Sequence, residues 1–285
     1  MSGIDGLEEQ IRRQEAEIAG LQAELAETNK GVVALYAELD ENAVQLREAA
    51  DLKSRFLSYM SHEFRTPLAS ITSVTDILMA RMDGALTGEQ ERQIRFIQGS
   101  VRELSEMVDD LLDLAKVEAG RISISPEWFD MVDLFSALRG MFRPIVGSGS
   151  VSLVFEESDQ VPRIYTDDKK LAQILRNFIS NALKFTTEGE VRVSARTADG
   201  SMIEFAVSDT GIGIAPEHLP ALFSDFVQID TRIQKRLRGT GLGLSLAKKF
   251  AHLLGGSVAA QSELGKGSRF SVLIPARYSP HPGPS

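Results

Sequence analysis

The stretch that decides the fold is residues 177–186, which read Asn177-Phe178-Ile179-Ser180-Asn181-Ala182-Leu183-Lys184-Phe185-Thr186. They lie in a helical pattern that covers Asp168–Phe185, and on a helix Asn177, Asn181 and Lys184 share one face. An amide oxygen is a hard ligand that suits Mg²⁺, and a lysine ammonium is a point charge for phosphate. The pattern therefore predicts a magnesium and phosphate site. The alternative interpretation is the polar face of an ordinary helix.

A glycine-containing turn follows the predicted strand Met202–Ser208, and it reads Asp209-Thr210-Gly211-Ile212-Gly213-Ile214. A carboxylate at a strand end can accept a hydrogen bond from an exocyclic amine, so Asp209 suits adenine. Glycines at Gly211 and Gly213 permit the turn and let a ring approach the backbone. The alternative is a plain Asp-Thr-Gly turn without a ligand.

A second glycine-rich stretch runs into the predicted helix Leu242–Leu254, and it reads Gly239-Thr240-Gly241-Leu242-Gly243-Leu244. Glycines at a helix N-terminus expose backbone N–H groups and the positive end of the helix dipole to phosphate. The preceding segment Asp230–Arg238 is interpreted as a mobile lid with phosphate-seeking charges, since it lacks glycine and carries Arg232, Lys235, Arg236 and Arg238. An ordinary flexible basic loop is the alternative for both stretches.

Residues 122–277 mix strand and helix patterns, which predicts an α/β sandwich. The strand-like runs are Val151–Phe155, Glu190–Ala195, Met202–Ser208, Ser257–Ser262 and Ser268–Ile274. The helical patterns are Met131–Phe142, Asp168–Phe185, Pro216–Phe223 and Leu242–Leu254. Residues 278–285, which are rich in proline, are predicted to be a disordered tail.

The N-terminal part of the chain is predicted to be helical only. Apolar residues recur over Leu7–Met60 in alternating steps of four and three, which is typical of a dimerising coiled coil. Polar Gln14, Thr28 and Asn42 on this seam are expected to set its register. Residues 1–50 are assigned to this coiled coil. The alternative is a single amphipathic helix packed on another domain.

Residues 51–121 are predicted to form an antiparallel helical hairpin. A turn at residues 83–88 separates the first helix from a second one, whose apolar stripe runs from Ile94 to Ala115 and stops at Gly120. Two such helices cannot bury both stripes alone, so we expect a homodimer that forms a four-helix bundle.

In the first helix of the hairpin, the spacing of the apolar residues changes around His62. Three consecutive four-residue steps interrupt the alternation around His62, and Pro67 adds a kink because it lacks an N–H. An inward Phe64 would turn His62 toward solvent, and Glu63 could accept a hydrogen bond from Nδ1–H, which leaves Nε2 as the nucleophile. This predicts a mechanically weak point at a reactive histidine. The alternative is an ordinary solvated histidine.

These motifs, in this order, resemble those of sensor histidine kinases of two-component systems. Ser61-His62-Glu63-Phe64-Arg65-Thr66-Pro67-Leu68 is similar to the H-box, and residues 177–186, 209–214 and 239–244 are similar to the N-, G1- and G2-boxes. Phe223 and Phe226 resemble the F-box, although Ser224-Asp225 replaces the more usual acid-Pro pair, and Gly265-Lys266-Gly267-Ser268 resembles the last glycine motif. The resemblance covers about residues 48–277 and implies a dimerisation and phosphotransfer domain followed by an ATP-binding catalytic domain.

The resemblance assigns roles to three residues of the H-box. It implies that His62 is the phosphoacceptor and that Glu63 is its base. Thr66 occupies the position that assists hydrolysis of the phosphorylated partner.

The resemblance also assigns an ATP site. Asn181 matches the magnesium-binding residue, Lys184 the phosphate contact and Asp209 the group that reads the adenine amine. Asn177 matches the supporting asparagine. The other implied members of the ATP site are Phe185, Gly211, Gly213, Gly239, Thr240, Gly241 and Gly243.

The implied activity is phosphoryl transfer from ATP, with Mg²⁺, to His62 and then to an aspartate of a response-regulator receiver domain. The two domains must swing together for this, and the junction near Ala119–Ser123 is the expected hinge. One alternative is a hydrolytic ATPase or serine kinase of the same superfamily, but gyrase-type members carry a water-activating Glu where this chain has Asn177. The others are a nucleotide-binding scaffold without transfer and a dominant phosphatase that depends on Thr66.

Composition excludes several other classes. The net charge of −9 argues against nucleic-acid binding, because that binding needs basic patches. The chain has no cysteine, hence no disulfide or thiolate metal site, which suits a reducing cytoplasm. No apolar run approaches the roughly 20 residues that span a bilayer, so we expect a cytoplasmic chain without a membrane segment.

Overall fold

A computed structural model describes residues 2–82, 84–146, 149–156, 161–198, 201–227 and 241–279. The chain divides into two compact units, Met1–Phe56 and Leu57–Ser285. The basic segment Asp230–Arg238, the residues Gly239 and Thr240, and the tail from residue 280 lie outside the described residues.

Helix α1, Ser2–Met79, accounts for all described residues of the first unit. The apolar side chains of the predicted seam are exposed in the single chain, and those described are Ile18, Leu21, Leu25, Val32, Leu35, Leu39 and Leu46. An exposed apolar seam of this length is typical of a helix that pairs with another helix.

Within the second unit, the end of α1 and helix α2, Gly88–Glu118, form the predicted antiparallel hairpin. Thr87 begins α2 with a capping box: its hydroxyl accepts from the N–H of Gln90, whose side chain accepts from the N–H of Thr87. Gly88 therefore belongs to the helix rather than to the predicted turn. Polar pairs cross the hairpin, with Arg65 Nη2 2.7 Å from Asp109 Oδ1.

The hairpin buries only part of each predicted apolar stripe. On α2, Ile94, Val101 and Val108 are buried, whereas Ile97 and Leu104 are 42% and 44% exposed. Two helices cover only one side of each other, so the remaining apolar side chains stay at the surface.

The C-terminal part is the predicted α/β sandwich. Its five-stranded sheet has the order β2-β4-β5-β7-β6, and only the β2–β4 pair is parallel. The strands are β2 Val151–Phe155, β4 Gly189–Thr197, β5 Met202–Asp209, β6 Ser257–Glu263 and β7 Gly267–Pro275. The helices are α3 Met131–Val146, α4 Asp168–Phe185 and α5 Gly243–Leu253.

Alternation along β5 shows how the sheet meets the helices. Ile203, Phe205 and Val207 are fully buried in the core that the helices share. Glu204 lies on the opposite face, where its carboxylate pairs with Arg196 and Arg269. One face of the sheet therefore packs against the helices, and the other carries a charged network.

Two features differ from the sequence prediction. A short antiparallel pair, β1 Glu127–Phe129 and β3 Ile164–Thr166, was not predicted, because three residues are too few for an alternating pattern. The predicted helix Pro216–Phe223 is a 3₁₀ turn, Pro216–Ala221. Pro220, inside this segment, lacks the N–H group that a regular α-helix would use there.

Candidate functional site

His62 lies in the C-terminal part of α1, and 79% of its side chain is exposed. Its Nδ1 is 4.0 Å from Oε1 of Glu63, which is too far for a hydrogen bond. The inward position belongs to its neighbour Ser61, whose hydroxyl is buried and lacks a hydrogen-bond partner among the described residues. Phe64 is 46% exposed in the single chain, so the hairpin alone does not bury it.

Hydroxyl groups surround the turn of helix after His62. The Thr66 hydroxyl donates to the carbonyl of His62 at 3.2 Å, and the Ser70 hydroxyl donates to the carbonyl of Thr66 at 3.1 Å. Pro67 has no N–H for the carbonyl of Glu63. An open groove at this level is lined by His62, Arg65, Thr66, Ala69, Ser70, Ser73 and Val74. His62 therefore borders an accessible, polar surface on a locally weakened helix.

Asp167 fixes the helix that carries the predicted magnesium and phosphate ligands. Its buried carboxylate accepts from the N–H of Lys170 at 3.0 Å, which caps α4, and from the N–H of Ser125 at 3.1 Å. One side chain thus anchors α4 to the segment that leads in from α2.

The polar face of α4 meets the start of α5. The Asn177 amide donates to the carbonyl of Gly243 at 2.9 Å, which holds two of the predicted ATP-site stretches together. Asn181 is half-buried one turn further along. Burial lowers the pKa of Lys184, and the charge of Glu103 on α2 opposes this effect.

Asp209 is the most constrained carboxylate of the predicted site. Its Oδ1 accepts from the N–H of Gly211 at 2.9 Å and from the N–H of Ser268 at 3.2 Å. Burial raises the pKa of Asp209, while these two backbone hydrogen bonds act in the opposite direction. The arrangement fixes a partly desolvated carboxylate at the end of β5.

The glycines beside Asp209 are required by the protein's own backbone. A Cβ on Gly211 would overlap the carbonyl oxygen of Phe185, which also accepts from the N–H of Ile212 at 3.2 Å. Gly213 has φ +67°, and a Cβ there would overlap the carbonyl oxygen of Glu263. The expectation that these glycines make room for a ligand ring is therefore incomplete, because protein atoms fill that space.

Two serines complete the site, although the predicted site residues did not include them. Ser262 accepts from the N–H of Ile214 at 2.8 Å and lies 2.9 Å from the hydroxyl of Ser268. The signal for Ser268 was the glycine motif at residues 265–268. No local pattern marks Ser262, since its partner Ile214 is distant in sequence.

The second glycine-rich stretch leads into an 11-residue helix without a side-chain cap. Gly241 has φ +70°, and Leu242 at the N-cap offers no polar side chain to the first N–H groups of α5. Those N–H groups and the helix dipole form a surface suited to phosphate.

The described contacts group the predicted residues into two sets. Asn177, Asp209, Gly211 and Gly243 belong to a connected part of the α/β domain through α4, β5 and α5. His62, Glu63 and Thr66 form a separate set on α1. Among the described residues, no hydrogen bond or ion pair joins the two sets.

Two family models match the chain. Residues 52–120 match the His Kinase A (phospho-acceptor) domain, and residues 166–278 match the histidine kinase-, DNA gyrase B-, and HSP90-like ATPase. These matches place His62 in the first domain, and Asn177, Asn181 and Asp209 in the second.

Curated relatives agree with both domains. A sensor-like histidine kinase of Rhizobium meliloti (strain 1021) is 38% identical over 246 residues, which are 86% of this chain and 47% of that protein. The autoinducer 2 sensor kinase/phosphatase LuxQ of Vibrio parahaemolyticus is 36% identical over 239 residues, which are 82% of this chain and 28% of that protein. The chain thus spans less than half the length of these relatives.

A solved structure extends the agreement to three dimensions. The crystal structure of full-length ShkA in complex with AMPPNP has a TM-score of 0.65 and 32% identity, and it covers 80% of this chain and 47% of that one. The order of helical hairpin and mixed sheet, predicted from sequence, is confirmed by this match. From its motifs, domains and relatives, the chain belongs to the sensor histidine kinases of two-component systems.

Proposed function

We propose that this chain is the core of an autophosphorylating histidine kinase, in which His62 receives the γ-phosphoryl group of ATP. The observation that carries the proposal is the exposed imidazole of His62 with a carboxylate beside Nδ1. The lone pair of Nε2 would bond to the γ-phosphorus while the bond to the bridging oxygen of ADP breaks. The ring must then lose its Nδ1 proton, and Glu63 is placed to attract that proton.

The proposed nucleotide site uses three parts of the α/β domain. Both described hydrogen bonds to Asp209 end on Oδ1, so Oδ2 retains its lone pairs for the exocyclic amine of adenine. The N–H groups at the start of α5 and the ammonium of Lys184 would contact the phosphates. Binding of ATP also follows from the ATPase domain to which residues 166–278 belong.

The residues of this site fit a magnesium ion that is bound mainly by the phosphates of the nucleotide. Among the described residues, no group of three or more His, Cys, Asp or Glu could hold a metal ion by itself. Mg²⁺ usually takes only one or two protein oxygens and completes its shell with phosphates and water. The amide oxygen of Asn181 would supply one ligand, and bound Mg²⁺ would neutralise charge on the phosphates.

We propose a homodimer with a response-regulator receiver domain as its phosphoryl acceptor. The hairpin leaves apolar side chains exposed at seven-residue spacing on both helices, Phe64 and Ile71 on α1 and Ile97 and Leu104 on α2. A second hairpin would cover them in a four-helix bundle.

Among the described residues, none of the helices has the length and apolar content that crossing a bilayer needs.

A second candidate activity is hydrolysis of the phosphorylated receiver. Thr66 lies one helical turn after His62 and lines the same groove. The relative LuxQ bears the name kinase/phosphatase. Thr66→Ala should then slow loss of label from a phosphorylated receiver and leave labelling of His62 intact.

The test of the main proposal is incubation of the chain with γ-labelled ATP and Mg²⁺, with His62→Gln alongside. Label that is acid-labile, alkali-stable and absent from the variant supports the proposal. Absence of label despite measurable ATP binding favours the scaffold or phosphatase alternatives. Label that persists in His62→Gln would contradict the assignment of His62.

A further inference from the structure

Three polar side chains form a row across one end of the main sheet. Asp209 of β5 pairs with Ser268 of β7, and Ser268 pairs with Ser262 of β6. Residues that pair across strands place their side chains on the same face of the sheet. Two positions further along, Val207 and Phe270 are buried in the core, so the row lies on the face that packs against the helices. Both hydroxyl groups are therefore close to the carboxylate that is proposed to bind adenine.

The hydroxyl of Ser262 has three polar neighbours. Its Oγ lies 2.8 Å from the backbone nitrogen of Ile214, 2.8 Å from the carbonyl oxygen of Gly267 and 2.9 Å from Oγ of Ser268. A serine hydroxyl has one proton and two lone pairs, so it can donate once and accept twice. Three hydrogen bonds are possible here only if each of them uses a different one of these.

The chemistry of the neighbours decides the direction of each hydrogen bond. The N–H of Ile214 can only donate, and the carbonyl of Gly267 can only accept. Ser262 gives its proton to Gly267, because a lone pair in that direction would face the carbonyl oxygen at 2.8 Å and be repelled. Ser262 then has no proton left for Ser268, so the hydroxyl of Ser268 donates to Ser262. The proton of Ser268 is thereby used within the protein.

Ser268 consequently presents only lone pairs to a ligand. Its N–H is also used, since it donates to Oδ1 of Asp209 at 3.2 Å. Both described hydrogen bonds to Asp209 end on Oδ1, so Oδ2 keeps its lone pairs as well. The side chains of Asp209 and Ser268 therefore accept hydrogen bonds and offer none. They suit an amino group and repel a carbonyl oxygen.

We propose that Ser262 is a positioning residue for nucleotide selectivity, which fixes Ser268 as an acceptor so that the site takes a 6-aminopurine and rejects a 6-oxopurine. The inference rests on the proposed ATP-dependent function. Without Ser262, the hydroxyl of Ser268 is free to rotate and to donate to a 6-oxo group. Ser262 thus excludes the wrong base by keeping a donor away from it.

The test compares Mg²⁺-ATP with Mg²⁺-inosine triphosphate, whose base carries an oxygen where adenine carries its amino group. Calorimetric titration of the full chain gives both dissociation constants, and their ratio measures the preference for ATP. A neutral hydrogen bond changes affinity by roughly this much, so Ser262→Ala should lower the preference for ATP about three- to tenfold.

The ratio separates positioning from a merely structural role. Ser262→Ala also leaves the N–H of Ile214 without its acceptor, but a general loosening of the site weakens both nucleotides alike and leaves their ratio unchanged. Ser262→Thr keeps the hydroxyl and should keep the ratio of the parent chain. Ser257→Ala changes an exposed serine of the same strand, and as the matched control it should also keep that ratio.

A double-mutant cycle tests whether Ser262 acts through Ser268. Ser268→Ala removes an acceptor, so it should itself lower the preference for ATP. It also removes the hydroxyl that Ser262 orients. Adding Ser262→Ala to Ser268→Ala should therefore leave the ratio as it is in Ser268→Ala alone.

Two results would overturn the inference. One is a ratio in Ser262→Ala equal to that of the parent chain, and the other is a further fall in the ratio when Ser262→Ala is added to Ser268→Ala. These titrations do not depend on phosphoryl transfer. The expected ratios in a chain whose His62 stays unlabelled would support the role of Ser262 and contradict the proposed kinase activity. A labelled His62 with unchanged ratios would overturn the role of Ser262 alone.

Discussion

Asp209 shows how one residue combines a structural and a functional constraint. Its Oδ1 closes the turn through Gly211 and reaches the start of β7 through Ser268. Burial nevertheless raises its pKa, so the negative charge is held at a cost to the fold. A partly buried carboxylate fixed in this way fits the proposed contact with the adenine amine.

Asp209→Asn should separate these two roles. The amide can still accept from both backbone N–H groups, but its NH₂ faces the amine of adenine. Loss of a hydrogen bond with a charged partner is worth about 1.5–3 kcal/mol, so ATP affinity should fall about 10- to 100-fold in titration calorimetry. An unchanged affinity would contradict the role of Asp209 in adenine binding.

The same variant should change the pH dependence of stability. A carboxyl whose folded pKa is raised binds its proton more tightly when folded, so it destabilises the fold as pH rises from its ordinary pKa through the raised value. Asp209→Asn lacks this dependence. In urea unfolding, the free energy of unfolding of the variant minus that of the parent should become more positive as pH rises from acidic to neutral. A stability difference between variant and parent that stays constant over this pH range, or that shifts toward the parent as pH rises, would contradict the burial argument.

Gly213 is a residue whose substitution should damage the fold rather than the chemistry. It combines φ +67° with a backbone carbonyl, that of Glu263, where a Cβ would stand. Gly265 has φ +80° and open space around it, so it isolates the cost of the backbone conformation. We expect Gly265→Ala to cost about 1 kcal/mol and Gly213→Ala at least about 2–3 kcal/mol in denaturant unfolding. An equal decrease in unfolding free energy for both variants would show that the backbone near Glu263 moves away from the added Cβ at no cost.

At the scale of elements, local patterns predicted most of the fold. The bounds of α4, Asp168–Phe185, follow from a strong amphipathic pattern and from Asp167 as its N-cap. All five strands of the main sheet were predicted within a few residues, since each is long enough to alternate. The order of motifs then indicated the family, which the two domain matches confirm.

Contacts between distant segments could not be predicted in this way. Gly213 and Glu263 meet only because the turn after β5 packs beside the end of β6, 50 residues later in the chain. The role of Ser262 could not be predicted for the same reason, because its partner Ile214 lies 48 residues away in the sequence. Such contacts depend on the register in which the strands pair, and this register cannot be read from the sequence of one strand alone.

The exposed stripe on α2 predicts the behaviour of the hairpin as an element. Ile97→Glu/Leu104→Glu would place two charges inside the proposed four-helix bundle, at a cost of several kcal/mol. Light scattering over a dilution series should therefore show that the double variant dissociates at a higher concentration than the parent chain, although the seam of α1 can still pair. Arg102→Glu, 140° around the helix from Ile97, is the control and should dissociate like the parent. A double variant that dissociates at the same concentration as the parent would exclude this stripe from the interface.

At the scale of the whole molecule, the proposed phosphoacceptor and the proposed nucleotide site belong to separate modules of one chain. The hairpin exposes His62, and the α/β domain assembles Asn177, Asp209 and the start of α5. Neither module holds all the groups that the reaction needs.

The most direct test of the central claim is to locate the phosphoryl group itself. The chain should be incubated with Mg²⁺-ATP, digested under alkaline conditions and mapped by mass spectrometry, with ³¹P NMR of the intact protein. One phosphoryl group is expected, on Nε2 of His62, and Asp209→Asn should be labelled at least several-fold less at limiting ATP. A phosphoryl group on His218, His252, or any serine, threonine or aspartate instead would contradict it.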